Sequence, residues 1–524
     1  MKRTIYFNED NHHFYGKHPP EDMSVEGIQK LVDYYAEGTQ VAGILFCTNV
    51  QRALFDSKVW ECFWDDYDPE LGENQPALNR LHGVKNHLLL RERGLDQHAI
   101  WLERCKHHGI EGWLTMRMND CHGLEETFLH MQGKECNIGE AGWTIEWPTK
   151  FWLENPQLRR APYRLERSWE GAFDYGKAEV REHHLKLVRE IFERYDMFGF
   201  ELDWMRWGMH FAPGFEQQGM PLLTQFIDDV RRIADEAEKR VGHPIKLAHR
   251  LPANPESCMA LGFDPITWSK KGLVDMVSLS SFCNGSDFDY TIAIWRAMLG
   301  KNIKINTLVD QVSHPFPEER MEEYELLYGS AASALQRGAD GVYLFNQNYR
   351  ETDEPELLSH VLRHIGSEET LAECQRRHAI TYPQVNAPGG PIRNILPILL
   401  RQPKEGSNFG RMEENITLRI NIGTKSKFKK AVLCLGFSGI SEEIGDNLEV
   451  RLNTKIITAC EEPKYESISK TIGECPQHGL KTDFIDEVCF FGLPVESLFD
   501  GDNVIEIMPP QVDGQLVWAE IIII

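Results

Sequence analysis

The sequence has little of what marks disulfide-rich scaffolds, membrane proteins and nucleic-acid binders. Its 12 cysteines are scattered over 524 residues without a C-x-x-C pair, which argues against a disulfide framework and favours reduced thiols. No stretch approaches the roughly 20 apolar residues of a membrane span. Basic residues are outnumbered 56 to 80, and the resulting net charge of −24 argues against nucleic acid or an anionic membrane as partner.

The beginning of the chain also lacks the features of a secretory signal. The apolar run Thr4–Phe7 is followed at once by polar residues, whereas a signal peptide needs an apolar core of roughly 7–15 residues. No G-x-G-x-x-G follows the first apolar run and no P-loop is present, which argues against nucleotide-binding folds. We therefore expect a cytoplasmic protein without a cofactor, and an oligomer is compatible with the sequence.

Short apolar runs alternate with longer amphipathic stretches over about the first 366 residues. Eight runs predict strands, namely Thr4–Phe7, Val41–Cys47, Gly112–Met118, Gly199–Met205, Ile245–Ala248, Asp275–Ser281, Ile303–Val309 and Gly341–Phe345. Helical patterns lie between them, for example Ser24–Tyr35, Leu90–His107, Lys177–Tyr195, Pro221–Val241, Glu318–Arg337 and Glu354–Ile365. Eight such units predict an α/β fold, a closed (β/α)8 TIM barrel, with a doubly wound open sheet as the alternative.

The pattern changes after about residue 380. Asn386–Pro391 reads as a linker. Apolar residues then alternate with polar ones at period two, for example in Ile416–Ile422, Asn503–Ile507 and Leu516–Ile523, which is typical of an antiparallel β-sandwich. We predict a barrel over residues 1–380 and a sandwich over residues 392–524, which either caps the barrel or binds sugar.

The segment Gly199–Trp207 carries the most informative chemistry. Side chains alternate along a strand, so Glu201 and Asp203 share one face while Phe200 and Leu202 share the other. The apolar face should pack under helices, which directs the carboxylates into the barrel, where an unpaired ion costs several kcal/mol. Asp203 lies nearer the C-terminal end, where barrels hold their active sites. Glu201, ~7 Å deeper, either pairs with an interior arginine or positions substrate and reacting groups.

Hydrolysis of a glycosidic bond usually needs two carboxyl groups, one as proton donor and one as nucleophile or base. Glu201 and Asp203 leave the same strand at different depths, so the second group should come from another strand end. Asp310 after the seventh strand and Asp120 after the third are the candidates. Asp287, beyond the sixth strand, is a less favoured one.

Cationic side chains also follow the predicted strands. Arg117 follows the third, Arg206 the fourth, and His249 and Arg250 the fifth. Arginine is well shaped for bidentate contact with a carboxylate. These groups therefore either hold the neighbouring carboxylates ionised or bind an acidic sugar such as a uronate.

Further polar residues follow the first, third and eighth strands, namely Asp10, His13, Asn119, His122 and Asn346. We expect them to exchange hydrogen bonds with sugar hydroxyls. A metal site including His12, His122 and Asp120 is the alternative. The spacing matches no zinc pattern such as H-E-x-x-H, so we predict that no metal is bound.

The segment that leads into the fourth predicted strand resembles a known family of proteins. Ala172–Arg181, running through Glu190–Asp196 into Gly199–Trp207, resembles glycosyl-hydrolase-like barrels, in which a "DY…VR" helix leads into a strand ending "DG-x-x-LD-(Y/W)-x-R". Gly262–Trp268 followed by Gly272–Asp275 is similar to their fifth-to-sixth unit. The motif match covers about 60 residues, and the match in architecture extends over about residues 1–380.

The resemblance implies an amylase- or melibiase-like barrel in which the aspartate closing the fourth strand, here Asp203, is the nucleophile. Two departures stand out. Phe198 occupies a position where Asp or Asn often precedes the glycine, and the fifth strand ends in His249 and Arg250 instead of a carboxylate. The resemblance therefore names no proton donor.

Together these observations predict a glycoside hydrolase acting on a small or oligomeric carbohydrate, with an acidic sugar among the candidates. Asp203 serves as nucleophile or base, Asp310 or Asp120 as acid, and Arg117 and Arg206 tune them. Two other functions fit the same sequence: a non-catalytic carbohydrate-binding barrel, and a metal-dependent lyase or isomerase.

Overall fold

A computed structural model gives the fold of most of the chain. The described residues are 2–10, 12–70, 81–133, 148–164, 166–281, 285–310, 324–382, 395–400, 415–425, 427, 430–440, 444, 448–461, 485–508 and 513–524. The predicted linker Asn386–Pro391 lies outside them. In the described part of the chain, no helix combines the length and apolar character needed to cross a bilayer.

The predicted apolar runs form a closed parallel barrel, which confirms the fold class. Its strands are β1 (Ile5–Glu9), β2 (Val41–Cys47), β3 (Glu111–Arg117), β4 (Gly199–Asp203), β5 (Lys246–Pro252), β6 (Met276–Ser280), β7 (Lys304–Val309) and β8 (Gly341–Leu344). They pair in chain order, and β8 pairs with β1 to close the ring. The carboxyl ends of all eight strands therefore meet at one end of the barrel, here called the mouth.

Helices surround these strands and connect them. They are α1 (His12–Lys17), α2 (Val25–Ala36), α3 (Leu81–Glu92), α4 (Gln97–His108), α5 (Leu124–Met131), α6 (Lys150–Glu154), α7 (Ala178–Arg194), α8 (Glu216–Val241), α9 (Pro255–Ala260), α10 (Pro265–Lys271), α11 (Ile292–Leu299), α12 (Tyr324–Gln336), α13 (Arg350–Asp353), α14 (Pro355–His364) and α15 (Glu368–Leu371). The predicted helix Leu90–His107 is instead two helices. Gly94 adopts a φ of 66° between them, and Asp96 caps α4 by accepting a hydrogen bond from the Ala99 N–H.

The barrel interior changes character along its axis. An apolar cluster fills the part away from the mouth and includes Tyr6, Leu45, Trp113, Ala248 and Met276. Towards the mouth the inward positions of the same strands carry Thr115, Glu201, Ser278, Asp203 and Arg250, all buried. This polar layer is the unusual feature of the interior, because buried charge must be paired or hydrogen-bonded to be tolerated.

The C-terminal part forms two antiparallel sheets. Their strands are β9 (Arg376–Ala379), β10 (Ile398–Leu399), β11 (Ile416–Asn421), β12 (Ala431–Ser438), β13 (Glu449–Leu452), β14 (Lys455–Ile457), β15 (Glu487–Leu493), β16 (Asp502–Met508) and β17 (Gln515–Ile523). One sheet has the order β10-β17-β12-β15 with β9 also on β17, and the other has the order β11-β16-β13-β14. Apolar side chains of both sheets share one core, as in a β-sandwich.

The strand β9 belongs to this sandwich although it lies inside the range predicted for the barrel. Arg377 on β9 and Glu520 on β17 form a buried bidentate ion pair, with Nε–Oε2 at 2.8 Å and Nη2–Oε1 at 2.7 Å. Apolar periodicity does not reveal β9, because three of its four residues are Arg376, Arg377 and His378.

The sandwich packs directly on the barrel. Leu326 of α12 and Phe288 share a buried cluster with Trp518 and Ile522 of β17. The approach is closest at Gly329 of α12, where an alanine Cβ would lie 1.8 Å from the carbonyl oxygen of Arg377. Barrel and sandwich are therefore in backbone contact at this point.

Candidate active site at the barrel mouth

Asp203 ends β4 at the mouth, with its carboxylate held by two donors. Arg250 Nη1 lies 3.0 Å from Oδ2, and the Met205 N–H donates to Oδ1 at 2.9 Å. Arg250 is itself fixed, because Nε and Nη2 donate to Ser280 Oγ at 3.2 and 3.1 Å and its guanidinium stacks 3.8 Å from the Phe345 ring centre. Asp203 is thus a preorganised, nearly buried carboxylate at the end of the barrel where active sites form.

Glu201 lies deeper on β4 and is completely buried. Its Oε1 accepts hydrogen bonds from Thr115 Oγ1 at 2.9 Å and Tyr343 OH at 2.8 Å, and Ser278 Oγ lies 3.4 Å from Oε2. Burial, and then the negative charge of Asp203, raise the pKa of Glu201 to about 7. The predicted direction of Glu201 into the barrel is correct, and its described hydrogen bonds are to hydroxyl groups and not to an arginine. It is a buried carboxyl of the barrel core.

The raised pKa of Glu201 predicts a stability that falls with increasing pH. The pKa is 4.5 for the ordinary group and about 7 in the folded protein, so between these values only the folded state keeps the proton. Stability is then lost as pH rises through this window, by roughly 3 kcal/mol. Glu201→Gln removes the titrating carboxyl. The free energy of unfolding of variant and wild type can be measured in urea at about pH 5 and 8, and the difference between them should shift in favour of the variant at the higher pH.

The matched control for this prediction is Glu182→Gln on α7. The Glu182 side chain is 55% exposed and faces Arg189 on the surface. Its difference from wild type should be the same at both pH values. A Glu201→Gln variant that behaves in the same way contradicts the raised pKa of Glu201.

A second polar network joins residues from the ends of three strands. Arg117 donates to Asp10 Oδ1 at 2.5 Å and to Asp120 Oδ2 at 2.8 Å. Asp120 Oδ1 lies 2.7 Å from His122 Nδ1, and Arg206 Nη2 donates to His122 Nε2 at 2.8 Å. Since Nε2 must accept from the guanidinium, the His122 proton sits on Nδ1 and is donated to Asp120.

This network determines what Asp120 can do. Burial opposes its ionisation, but His122 and Arg117 hold the pKa of Asp120 well below its usual range. A carboxylate that stays ionised cannot donate a proton, so the geometry argues against Asp120 as the acid. Arg117 and Arg206 on either side also disfavour a divalent cation at Asp120 and His122. The His12 side chain, the third member of that predicted set, lies outside the described residues.

Asp310 follows β7 and is buried at the mouth. Asn346 Nδ2 donates to its Oδ1 at 3.2 Å, and Ser286 Oγ accepts from its backbone N–H at 3.0 Å. Asn346 adopts a φ of 55°, a conformation that non-glycine residues adopt only at a cost and that concentrates at functional sites. The strands that precede Asp310 and end at Asp203 are three apart in a ring of eight, so the two carboxylates belong to different sides of the mouth.

A cavity of about 360 Å³ lies beside the mouth, between the loops after β5 and β6 and the sandwich. Asp287, Tyr290 and Arg419 are among the residues that line it. Burial raises the pKa of Asp287 to about 6. Asp203 is absent from the described lining of this cavity.

Two predicted binding residues point away from the mouth. His249 neighbours the inward-facing Arg250 and therefore faces outward: Trp204 Nε1 donates to its Nδ1 at 3.1 Å, and its Nε2 lies 3.1 Å from the Leu273 carbonyl. Burial lowers the pKa of His249 to about 4. Asn119 bonds both backbone groups of Phe173, at 2.8 and 3.0 Å. Both side chains are buried and hydrogen-bonded within the protein, which favours a structural role.

His13 also differs from its predicted place. It lies on α1, bonds Glu9 and Glu351, and is fully buried. Tyr343 and Phe345 are inward residues that the sequence argument missed. Alternation along β8 could have predicted this. Side chains on a strand point to opposite faces in turn, and Leu344, which lies between the two aromatic residues, packs in the outer core.

No family model matches this chain, and no curated protein is similar to it. Solved structures do match its architecture. The glycoside hydrolase domain of PgaB (BpsB) from Bordetella bronchiseptica is 10% identical, with 69% of this chain and 99% of that chain covered and a TM-score of 0.42. The maltogenic α-amylase AmyB from Thermotoga neapolitana is 11% identical, with 97% and 99% covered and a TM-score of 0.37.

A third structure, a GH27 β-L-arabinopyranosidase from Geobacillus stearothermophilus, is 9% identical, with 97% of each chain covered and a TM-score of 0.32. All three neighbours have TM-scores below 0.5, and they assign no role to any residue of this chain. The roles of residues in this chain therefore depend on its own geometry.

Proposed function

We propose that this chain is a glycoside hydrolase in which Asp203 is the catalytic nucleophile or base. The supporting observation is the position of Asp203, at the mouth end of β4 with both carboxylate oxygens held by Arg250 and the Met205 N–H. Fixed donors of this kind orient a reacting carboxylate before substrate arrives. A carbohydrate-binding barrel without activity needs no such orientation, which makes it the weaker candidate.

We propose Asp310 as the proton donor. Its strand lies three positions from that of Asp203 in the ring, so a glycosidic bond could be held between the two carboxyl groups, as in a glycosidase. Asp287 is the second candidate, because its pKa of about 6 would keep a proton available near neutral pH. The two are neighbours: the hydroxyl of Ser286, adjacent in sequence to Asp287, bonds the backbone of Asp310.

Leaving-group chemistry distinguishes these donors. A proton donor matters most when the departing alcohol is basic, and little when it is a good leaving group such as dinitrophenolate. Asp310→Asn should therefore lower kcat by about 10²–10⁴-fold on alkyl glycosides and far less on dinitrophenyl glycosides. Asp287→Asn serves as the matched variant and should retain activity on both. If Asp287→Asn instead shows the selective loss on alkyl glycosides, Asp287 is the donor. If each variant loses the same activity on alkyl and dinitrophenyl glycosides, neither residue is the acid.

The charges of the mouth favour a neutral sugar over an acidic one. Three arginines, Arg117, Arg206 and Arg250, are matched by three aspartates, Asp10, Asp120 and Asp203. Arg117 pairs with Asp10 and Asp120, and Arg250 pairs with Asp203. No excess positive charge remains to recognise a uronate, whose carboxylate would lie near Asp203 as well.

The expected result is preferential turnover of neutral glycosides. A panel of aryl glycosides and their uronide counterparts should show a higher kcat/KM for the neutral member of each pair. Raising the salt concentration should leave the ratio nearly unchanged, because buried pairs are weakly screened. A preference for uronides contradicts the charge argument and leaves the role of Asp203 unaffected.

A further inference from the structure

A cluster of two histidines and one carboxylate lies at the seam of the barrel, on the segments that follow β1 and β8. It shares no residue with the proposed catalytic groups. His13 Nε2 and His18 Nε2 lie 3.3 and 3.0 Å from the same oxygen, Oε2 of Glu351. The three ligand atoms lie within 4.8 Å of one another. His13 is fully buried, and the side chains of His18 and Glu351 are 12% and 14% exposed. The cluster thus has an enclosed side and a side open to solvent.

The other nitrogen of each ring faces a carboxylate of its own. His13 Nδ1 lies 2.7 Å from Glu9 Oε1, and Tyr35 OH donates to Glu9 Oε2 at 2.7 Å. His18 Nδ1 lies 3.1 Å from Asp22 Oδ2. Histidines that bind a metal through one nitrogen almost always donate the other N–H to a carboxylate or carbonyl, which fixes the tautomer and the ring orientation. Both histidines here meet that requirement.

The distances also fit a metal ion. Around a tetrahedral zinc ion with bonds of about 2.0–2.2 Å, ligand atoms are roughly 3.3–3.5 Å apart. The distance from His13 Nε2 to Glu351 Oε2, 3.3 Å, falls in this range, and that from His18, 3.0 Å, lies just below it. A charge-assisted hydrogen bond between imidazolium and carboxylate is expected at about 2.7–2.9 Å, so the contact of His13 with Glu351, at 3.3 Å, is long for an ion pair.

We propose that His13, His18 and Glu351 bind one divalent transition-metal ion, with zinc as the best match to two imidazoles and a carboxylate. The charges around the site favour a cation. With the protons of both rings on Nδ1, the rings are neutral, and Glu9, Asp22 and Glu351 contribute three negative charges that a dication offsets in part. Solvent takes the remaining coordination position on the side of His18 and Glu351.

The position of the site indicates a structural role. His13 and His18 follow β1, the first barrel strand, and Glu351 lies on α13, directly after β8, the last one. The metal would link the two chain segments that meet where the barrel closes. This role is independent of the proposed hydrolase activity.

A second cluster provides the control. Asp33, Glu37 and His108 are also close enough to share an ion. There, however, Arg104 already occupies both oxygens of Asp33, with Nε at 2.5 Å and Nη2 at 2.9 Å. A guanidinium in that place repels a dication. We therefore expect no metal at His108.

The experiment uses the full-length protein, stripped with chelator and titrated with ZnCl2 by calorimetry. Wild type and His108→Gln should each bind one equivalent of zinc, and the melting temperature of both should rise. His18→Gln and Glu351→Gln should bind at least about 10-fold more weakly. Circular dichroism of each variant shows whether it is folded. Zinc binding that is absent in wild type, or equally strong in all folded variants, overturns the proposal.

Cobalt substitution keeps the test decisive if a histidine variant does not fold. Co²⁺ added to the stripped wild-type protein should give the visible d–d bands of a low-coordinate site with nitrogen ligands. Zinc should displace it stoichiometrically. A spectrum identical to that of hydrated Co²⁺ overturns the proposal without the use of any variant.

Discussion

Asp203→Asn is expected to lower kcat by at least about 10³-fold on any glycoside that the wild-type protein hydrolyses. Asparagine keeps the shape of aspartate and can still accept the Met205 N–H, but it is a poor nucleophile and a poor base. The measurement is steady-state hydrolysis of aryl glycosides, including those with good leaving groups. Unlike Asp310→Asn, this variant should not be rescued by such a leaving group, because attack on the sugar still requires the carboxylate.

The same substitution should also reduce stability, since Arg250 loses its only described carboxylate partner while buried. Its contacts with Ser280 and Phe345 remain, so we expect a loss of about 3 kcal/mol or less. Activity must therefore be compared at a temperature where the variant is fully folded. Retention of more than a tenth of the wild-type kcat under these conditions would rule out the assigned role of Asp203.

Glu520→Ala is expected to destabilise the protein by about 3–5 kcal/mol, because it leaves the buried Arg377 guanidinium without its bidentate partner. The measurement is the urea unfolding midpoint and slope. The variant should keep the wild-type kcat per folded molecule, since β17 lies in the sandwich. It is thus also the control that separates loss of stability from loss of catalysis in Asp203→Asn.

Two further variants test the cause of this destabilisation. In Arg377→Met combined with Glu520→Leu, no charge is left unpaired, and most of the lost stability should return. Glu182→Ala removes an exposed ion pair with Arg189 and should change the midpoint little. If the double variant is as unstable as Glu520→Ala, the pair does not act through its charge.

The parts of the fold that depend on local pattern could be predicted from the sequence. Eight apolar runs bounded by turns predict the eight barrel strands. Strands of a parallel sheet are covered on both faces, so their sequences are mostly apolar and do not alternate strictly. Alternation along β4 placed Glu201 and Asp203 inside the barrel correctly. The same alternation, applied to β5, shows that His249 and Arg250 cannot both face the mouth.

Contacts between distant segments were not predictable in this way. One example is the polar network at the mouth, which forms because the loops after β3 and β4 meet in space. It connects Arg206, His122, Asp120 and Arg117. His13 and Glu351 are separated by most of the barrel sequence and meet only because β1 pairs with β8. No periodicity in a single sequence records such pairings.

The placement of β9 limits where the chain can be cut. One side of β17 is covered by two separate segments, with β10 along Leu516 and Gln515, and β9 along Glu520–Ile523. A fragment that begins after the predicted linker lacks β9. It would leave the edge of Glu520–Ile523 that pairs with β9 as an open sheet edge with unpaired backbone N–H and C=O groups, which is a template for aggregation. The sandwich is therefore not a removable module, since the barrel side of the chain supplies the strand that protects it.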